Sequence, residues 1–132
     1  MKRVIGVGGI FFKARDPEKL AAWYRKHLGF EVEEWGGVSF QEGAAAQLAP
    51  KRQSHLVWSP FEATTEYFAP STKPYMLNFR VHDLHAVLAE LRGEGVVVED
   101  KTEESEFGKF GWVMDPEGTK IELWEPPEEK AG

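Results

Sequence analysis

Gly9-Ile10-Phe11-Phe12-Lys13-Ala14-Arg15-Asp16 returns about 67 residues further along as Met76-Leu77-Asn78-Phe79-Arg80-Val81-His82-Asp83, a spacing of repeat scale. Phe12 then aligns with Phe79, Lys13 with Arg80, Asp16 with Asp83, Ala22 with Ala89 and Arg25 with Arg92. The halves also end alike, in Leu56-Val57-Trp58-Ser59-Pro60 and Glu122-Leu123-Trp124-Glu125-Pro126. One module is used twice. It spans about 4–59 and again about 75–126, within a single domain covering 1–132. A connection over about 60–74 joins the copies, and 127–132 reads as a frayed tail.

Each half reads as a strand, a helix and further strands. Asp16 suits a helix N-cap and Pro17 the first helical position, where its missing N–H does no harm. Leu20, Trp23, Tyr24, His27 and Leu28 follow at three- and four-residue spacing, and Gly29 suits the stop. In the second half Asp83 is the cap, Leu84, Val87, Leu88 and Leu91 form the apolar stripe, and Gly93 and Gly95 end it. Strands are predicted near 30–35, 38–41 and 55–58, and again near 96–99, 107–114 and 120–124. Asp115-Pro116-Glu117-Gly118 should turn the last two into a hairpin. Residues 43–54, rich in Ala and Gln and then basic at Lys51 and Arg52, read as a mobile loop.

The 132 residues suffice for one core without staples. Sixteen Lys and Arg against 22 Asp and Glu leave a net charge of −6, which argues against a nucleic-acid partner, since that needs a basic face. Cysteine is absent, which excludes a disulfide scaffold, a thiol nucleophile and thiolate metal sites. The basic start at Lys2 and Arg3 precedes too short an apolar run for a signal peptide, and no stretch reaches membrane-span length, so a cytoplasmic protein with no membrane partner is expected. Gly6-Val7-Gly8-Gly9 precedes its strand rather than following it, so it carries no dinucleotide signal.

Two βαβββ modules carrying Asp16-Pro17-Glu18-Lys19-Leu20-Ala21-Ala22-Trp23-Tyr24 and Asp115-Pro116-Glu117-Gly118-Thr119-Lys120-Ile121-Glu122-Leu123 resemble the vicinal oxygen chelate superfamily. That is the fold of glyoxalase I, bleomycin-resistance proteins and extradiol dioxygenases, and the resemblance runs from Gly9 to Pro126. It implies an α+β fold in which each module makes a half-cup mixed sheet with one main helix, and the two close around a cavity. Metal-dependent members of the superfamily place ligands on the first and last strands of each module. Here those positions hold Gly9, Leu56, Met76 and Glu122, so only Glu122 has a ligating side chain. One carboxylate holds a divalent ion weakly. No cofactor is therefore expected, and a metal-dependent glyoxalase I or dioxygenase is disfavoured. His55 would join Glu122 as a ligand only if a bulge turned it inward. His27, His82 and His85 suit structural roles near helix ends.

From these reference positions, strand alternation points Phe11, Lys13, Trp58, Asn78, Arg80, Trp112, Phe110 and Trp124 into the cup beside Glu122. The expected ligand-binding set is Phe11, Trp58, Asn78, Arg80, Trp112 and Trp124. The large rings serve packing and binding equally well, whereas Phe12, Trp23, Tyr24 and Phe79 belong to the helix side. Glu122 is the candidate catalytic group, because burial disfavours its charge unless Lys13, Arg80 or a ligand cation compensates. The first reading is a metal-free protein of the bleomycin-resistance type that binds an aromatic or cationic small molecule. The alternative is a glyoxalase-like lyase or isomerase with Glu122 as base, and a third is a filled cup whose protein acts through its surface. An apolar half-cup edge also implies a homodimer.

Overall fold

The computed structural model describes residues 9–40 and 56–128. Its regular elements are α1 (Pro17–Leu28), β1 (Leu77–Arg80), α2 (Leu84–Gly93), β2 (Val97–Val98), β3 (Glu103–Ser105), β4 (Gly108–Met114) and β5 (Lys120–Glu125). Both helices start where their caps predict. The Asp16 carboxylate accepts from the Lys19 N–H, and the Asp83 carboxylate from the Ala86 N–H, each at 3.1 Å. Gly29, in the left-handed region, stops α1. No helix among the described residues is long and apolar enough to cross a membrane.

The second module forms a mixed sheet in the order β1-β5-β4-β2, with β3 also beside β4. β1 runs parallel to β5, and the other pairs are antiparallel. This is an α+β fold with the expected strand–helix–three-strand order, because β2 and β3 are two pieces of one edge strand. Val98 pairs with Val113 and Glu103 with Phe110, so five residues of advance oppose three, and the edge bulges between them. The sequence predicts no strand at Glu103–Ser105. Its side chains are polar and exposed, so no alternation marks it, and its place in the sheet comes from backbone pairing with β4.

Alternation sorts the sheet into two faces. Leu77, Val113, Ile121 and Leu123 are buried, and the last three form one apolar cluster with Leu84, Leu88 and Leu91 of α2 and Leu20 and Tyr24 of α1. α2 lies close because Gly111 has no side chain. A Cβ there would stand 2.7 Å from Leu88 Cδ1. Both faces of β5 are buried, so something must also cover Lys120, Glu122 and Trp124 on its other side.

The β4–β5 turn also ties the two modules together. Asp115 Oδ1 accepts from the N–H groups of Glu117 and Thr119, at 2.8 and 3.0 Å, while Gly118 takes the positive φ that the turn requires. Asp115 Oδ2 accepts the Tyr24 hydroxyl of α1 at 2.8 Å. Burial pushes the Tyr24 pKa well above the ordinary tyrosine range and the neighbouring Asp115 charge adds to the shift, so the phenol stays a donor. The Glu117 carboxylate in turn accepts the N–H of Arg15 at 2.7 Å and of Asp16 at 3.2 Å, capping the chain where it enters α1.

The Arg15 N–H, with the Asp16 N–H and the Arg15 charge, holds the Glu117 carboxyl below the usual glutamate range despite an opposing desolvation contribution. A depressed native pKa adds stability that is complete above the unfolded value and fades as pH falls through the native value. Glu117→Gln is therefore expected to destabilise the protein at pH 7, with a deficit that shrinks as pH falls through the native value. Urea midpoints measured at pH 7 and in acid check this, and a deficit that persists undiminished in acid would contradict it.

In the first module, α1 is the regular element among the described residues, and none of 9–14, 30–35, 38–40 or 56–58 forms a strand, although the sequence predicts one in each. Trp35, predicted at a strand end, lies in a turn instead. The Glu33 N–H donates to the Gly37 carbonyl, the Gly36 N–H to that of Glu33, and the Trp35 indole to the Glu33 carboxylate at 2.8 Å. Gly36-Gly37 breaks the strand before Trp35 can extend it. Gln41 and His55, the remaining ends of the predicted strands, lie outside the described residues, as does the 43–54 loop.

Candidate functional site

Register places three side chains in one row across the sheet: Asn78 of β1 opposite Glu122 of β5, and Glu122 opposite Trp112 of β4. The row converges on the Glu122 carboxylate. Asn78 Nδ2 donates to Oε1 at 2.8 Å, and Trp112 Nε1 donates to Oε2 at 2.9 Å. A third donor arrives from the connection between modules, as the Tyr67 hydroxyl meets Oε2 at 2.5 Å. Glu122 and Trp112 are 7% and 3% exposed, so the carboxylate is satisfied by neutral donors away from bulk water. Burial, reinforced by the hydrogen bond to Glu122, pushes the Tyr67 pKa above the ordinary range and keeps its proton in place.

The connection is fastened across the hairpin like a strap. Lys120 Nζ donates to the carbonyls of Tyr67 and Ala69 at 2.7 and 3.1 Å and pairs with Glu99 at 3.2 Å, beside the edge-strand bulge. The same ammonium lies 5.4 Å from the ring centres of both Tyr67 and Trp112, within cation–π range. Further along, Ser71 Oγ donates to the Gly118 carbonyl and Lys73 Nζ to Thr119 Oγ1. Tyr67 stands edge-on to Trp112, and Phe61 and Phe68 pack around it, so the strap roofs the carboxylate with aromatic rings.

One row along, Arg80 of β1 faces Trp124 of β5, which faces Phe110 of β4. The Trp124 and Phe110 rings stack at 6.1 Å, and the Trp124 indole donates to the Phe107 carbonyl at 2.7 Å. Gly108 makes room for that bond. A Cβ there would stand 3.0 Å from Trp124 Nε1 and 2.3 Å from the Glu125 carbonyl oxygen.

Among the expected site residues, Glu122, Asn78 and Trp112 meet, while Trp124 and Arg80 occupy the neighbouring row. Phe11 and Trp58 are 93% and 78% exposed and make no hydrogen bond or ring contact with the cluster among the described residues. Lys13, one of the counter-charges weighed for Glu122 beside Arg80 and a ligand cation, is exposed, and neutral donors meet the carboxylate. Tyr67 and Lys120 are the residues that sequence reasoning missed. Lys120 was legible, because it stands two residues from Glu122 on the same strand face. Tyr67 carried only a weak signal, an aromatic group at Phe61, Tyr67 and Phe68 within an otherwise polar linker. Among the described histidines, His27 Nδ1 lies 2.6 Å from Glu94 Oε1, His85 Nε2 lies 3.4 Å from Glu104 Oε1, and His82 is exposed.

The superfamily's metal does not fit the residues present. Gly9, Leu56 and Met76 offer no oxygen or imidazole ligand, and the neighbours of Glu122 aim N–H and O–H protons at it where a cation would have to sit. No group of three or more His, Asp or Glu suited to a metal occurs among the described residues, and His55 lies outside them.

Residues 9–124 match a family model described as a glyoxalase-like domain. No curated protein matches the sequence. Among solved structures, TnmS3, an antibiotic-binding protein from Streptomyces sp. CB03234, is 22% identical, with a TM-score of 0.50 over 85% of this chain and 88% of that one. A protein of unknown function from Agrobacterium tumefaciens str. C58 is 20% identical, with a TM-score of 0.53 over 92% and 98% of the two chains. At these identities the likeness is one of fold.

Proposed function

The chain belongs to the glyoxalase-like domain family of the vicinal oxygen chelate superfamily, and from that premise we propose that it is a metal-free small-molecule-binding protein whose ligand, an aromatic or cationic compound, sits against the Glu122 row. The observation that carries this reading is the buried Glu122 carboxylate, ringed by Trp112 and Tyr67 and held by three neutral donors with no cation paired to it among the described residues. A few convergent polar groups on an aromatic wall are what a small-molecule site requires. The antibiotic-binding role of TnmS3 supports the same direction. Phe11 and Trp58 complete the reading as an opposing wall. A second copy covers the exposed Ile10, Leu56 and Val57 beside them in a homodimer.

The alternative, a lyase or isomerase using Glu122 as base, asks that carboxylate to accept a substrate proton, and three donors already occupy it. That arrangement favours binding over proton abstraction.

Thermal unfolding against a panel of aromatic and cationic compounds tests the reading. A ligand at one hundred times its Kd should stabilise the wild type by about 2.7 kcal/mol, which is about 8–10 °C for a domain of this size. Glu122→Gln, folded by circular dichroism, should lose most of that shift. A panel without a stabilising member, or a shift unchanged in Glu122→Gln, would count against it.

A further inference from the structure

Tyr67 stands in the Glu122 row without belonging to the sheet. Strand register fixes Asn78 and Trp112 there, whereas the connection between modules delivers Tyr67. The backbone bonds within that connection are local turns, Thr65 to Glu62, Ala69 to Glu66 and Ser71 to Phe68. Among the described residues, the hydrogen bonds that fasten it to the hairpin all run through side chains. A segment held in this way opens at lower cost than a core strand. Tyr67 is also 37% exposed above partners that are buried, so its ring is the layer between the row and water.

The slot meets its occupant at three points. Glu122 Oε2 accepts the hydroxyl at 2.5 Å, Trp112 stands edge-on with ring centres 6.1 Å apart, and Lys120 Nζ lies 5.4 Å from the ring centre. All three contacts are made with the phenol group of the residue and none with its main chain. A free phenol brings the same ring, the same neutral O–H donor and the same π face. Exchanging one for the other leaves Glu122 with three donors and strands no buried polar group. An aromatic ring without a donor would instead leave Oε2 with the Trp112 indole alone.

We propose that Tyr67 is an internal stand-in for the ligand: the Glu122 row is a phenol-binding site, filled by the Tyr67 side chain in an autoinhibitory contact until a phenolic ligand displaces it. This rests on the ligand-binding reading above and names the ligand class within it. Apparent affinity is then the affinity of the open slot reduced by the fraction of molecules in which Tyr67 has left it.

Phenol and benzene serve as probes, titrated into the 132-residue chain and followed by NMR at the Trp112 indole N–H. Tyr67→Ala keeps the Cβ and removes the stand-in. It should bind phenol at least about tenfold more tightly than the wild type, the factor for a slot that Tyr67 fills about nine-tenths of the time. It should also prefer phenol to benzene by about tenfold, for one hydrogen bond to an ionised acceptor. Tyr67→Phe keeps the ring without the bond to Glu122, so its phenol affinity should fall between those of the wild type and Tyr67→Ala. That variant reports the same displacement if Tyr67→Ala does not fold. Three results would each overturn the assignment: equal phenol affinity in the wild type and the variants, benzene bound as tightly as phenol by Tyr67→Ala, or no wild-type binding at about one hundred times the Tyr67→Ala Kd. The last would make Tyr67 a permanent part of the roof. In each case the broader reading stands if another compound of the panel stabilises the wild type and not Glu122→Gln, and falls with the assignment if none does.

Discussion

Asp115→Ala is expected to lower the unfolding free energy by about 3–5 kcal/mol. The buried carboxylate accepts three protein donors, the Tyr24 hydroxyl and the N–H groups of Glu117 and Thr119. Removing it leaves those donors unpaired, and an unsatisfied buried donor costs about 1–3 kcal/mol. Midpoints should fall by roughly 10–18 °C for a domain of this size. Tyr24→Phe removes one of the three bonds and should cost only about 1–3 kcal/mol. The double variant should then be little worse than Asp115→Ala alone, because the hydroxyl has already lost its acceptor. Strictly additive losses would mean that the Tyr24 bond contributes nothing and that the turn alone needs Asp115.

Asp115 also illustrates what the sequence disclosed and what it did not. The Asp-Pro-Glu-Gly turn, both helix caps and the alternation of β5 follow from local chemistry, in which each residue's role depends on neighbours within a few positions. That locality makes the second module legible almost strand by strand, and alternation alone brings Asn78, Trp112 and Glu122 onto one face. What stays hidden depends on partners far away in the chain. Asp115 meets Tyr24 across 91 residues, Glu117 caps a helix of the other module, and Tyr67 reaches Glu122 from a linker with no periodicity. Composition marks such a linker as connection, and only the fold reveals that it roofs the site. The short strand at Glu103–Ser105 fails for a related reason. Its place comes from backbone pairing, and its polar, exposed side chains carry no strand pattern. Trp35 errs in the opposite sense, a strand-forming residue overruled by the glycines beside it.

Lys120→Met should separate the stability of the fold from the seating of the strap. The lysine is 7% exposed at its side chain and serves two carbonyls and one carboxylate, so its charge is fully engaged. Methionine keeps most of the stem volume and removes every one of those bonds. The cost should be about 2–3 kcal/mol, below that of a fully buried pair, because the Glu99 side chain is 32% exposed and rehydrates. The more telling consequence is local. Ser71 and Lys73 still hold the far end of the strap to Gly118 and Thr119, so the segment should loosen at Tyr67 and Ala69 and not beyond. Hydrogen exchange should show the Ala69 amide, bonded to the Glu66 carbonyl, opening at least about tenfold faster by local unfolding. The amides of Val113 and Ile121 in the core strands should follow the global stability alone. With Tyr67 released, Glu122 loses one of its three donors. Lys120→Arg, which restores the charge but must fit a planar fork between two carbonyls and Glu99, should recover only part of each effect. Wild-type exchange at Ala69 in Lys120→Met would mean that Ser71 and Lys73 hold the strap unaided, and Tyr67 would then owe its position to Glu122 rather than to the lysine beneath it.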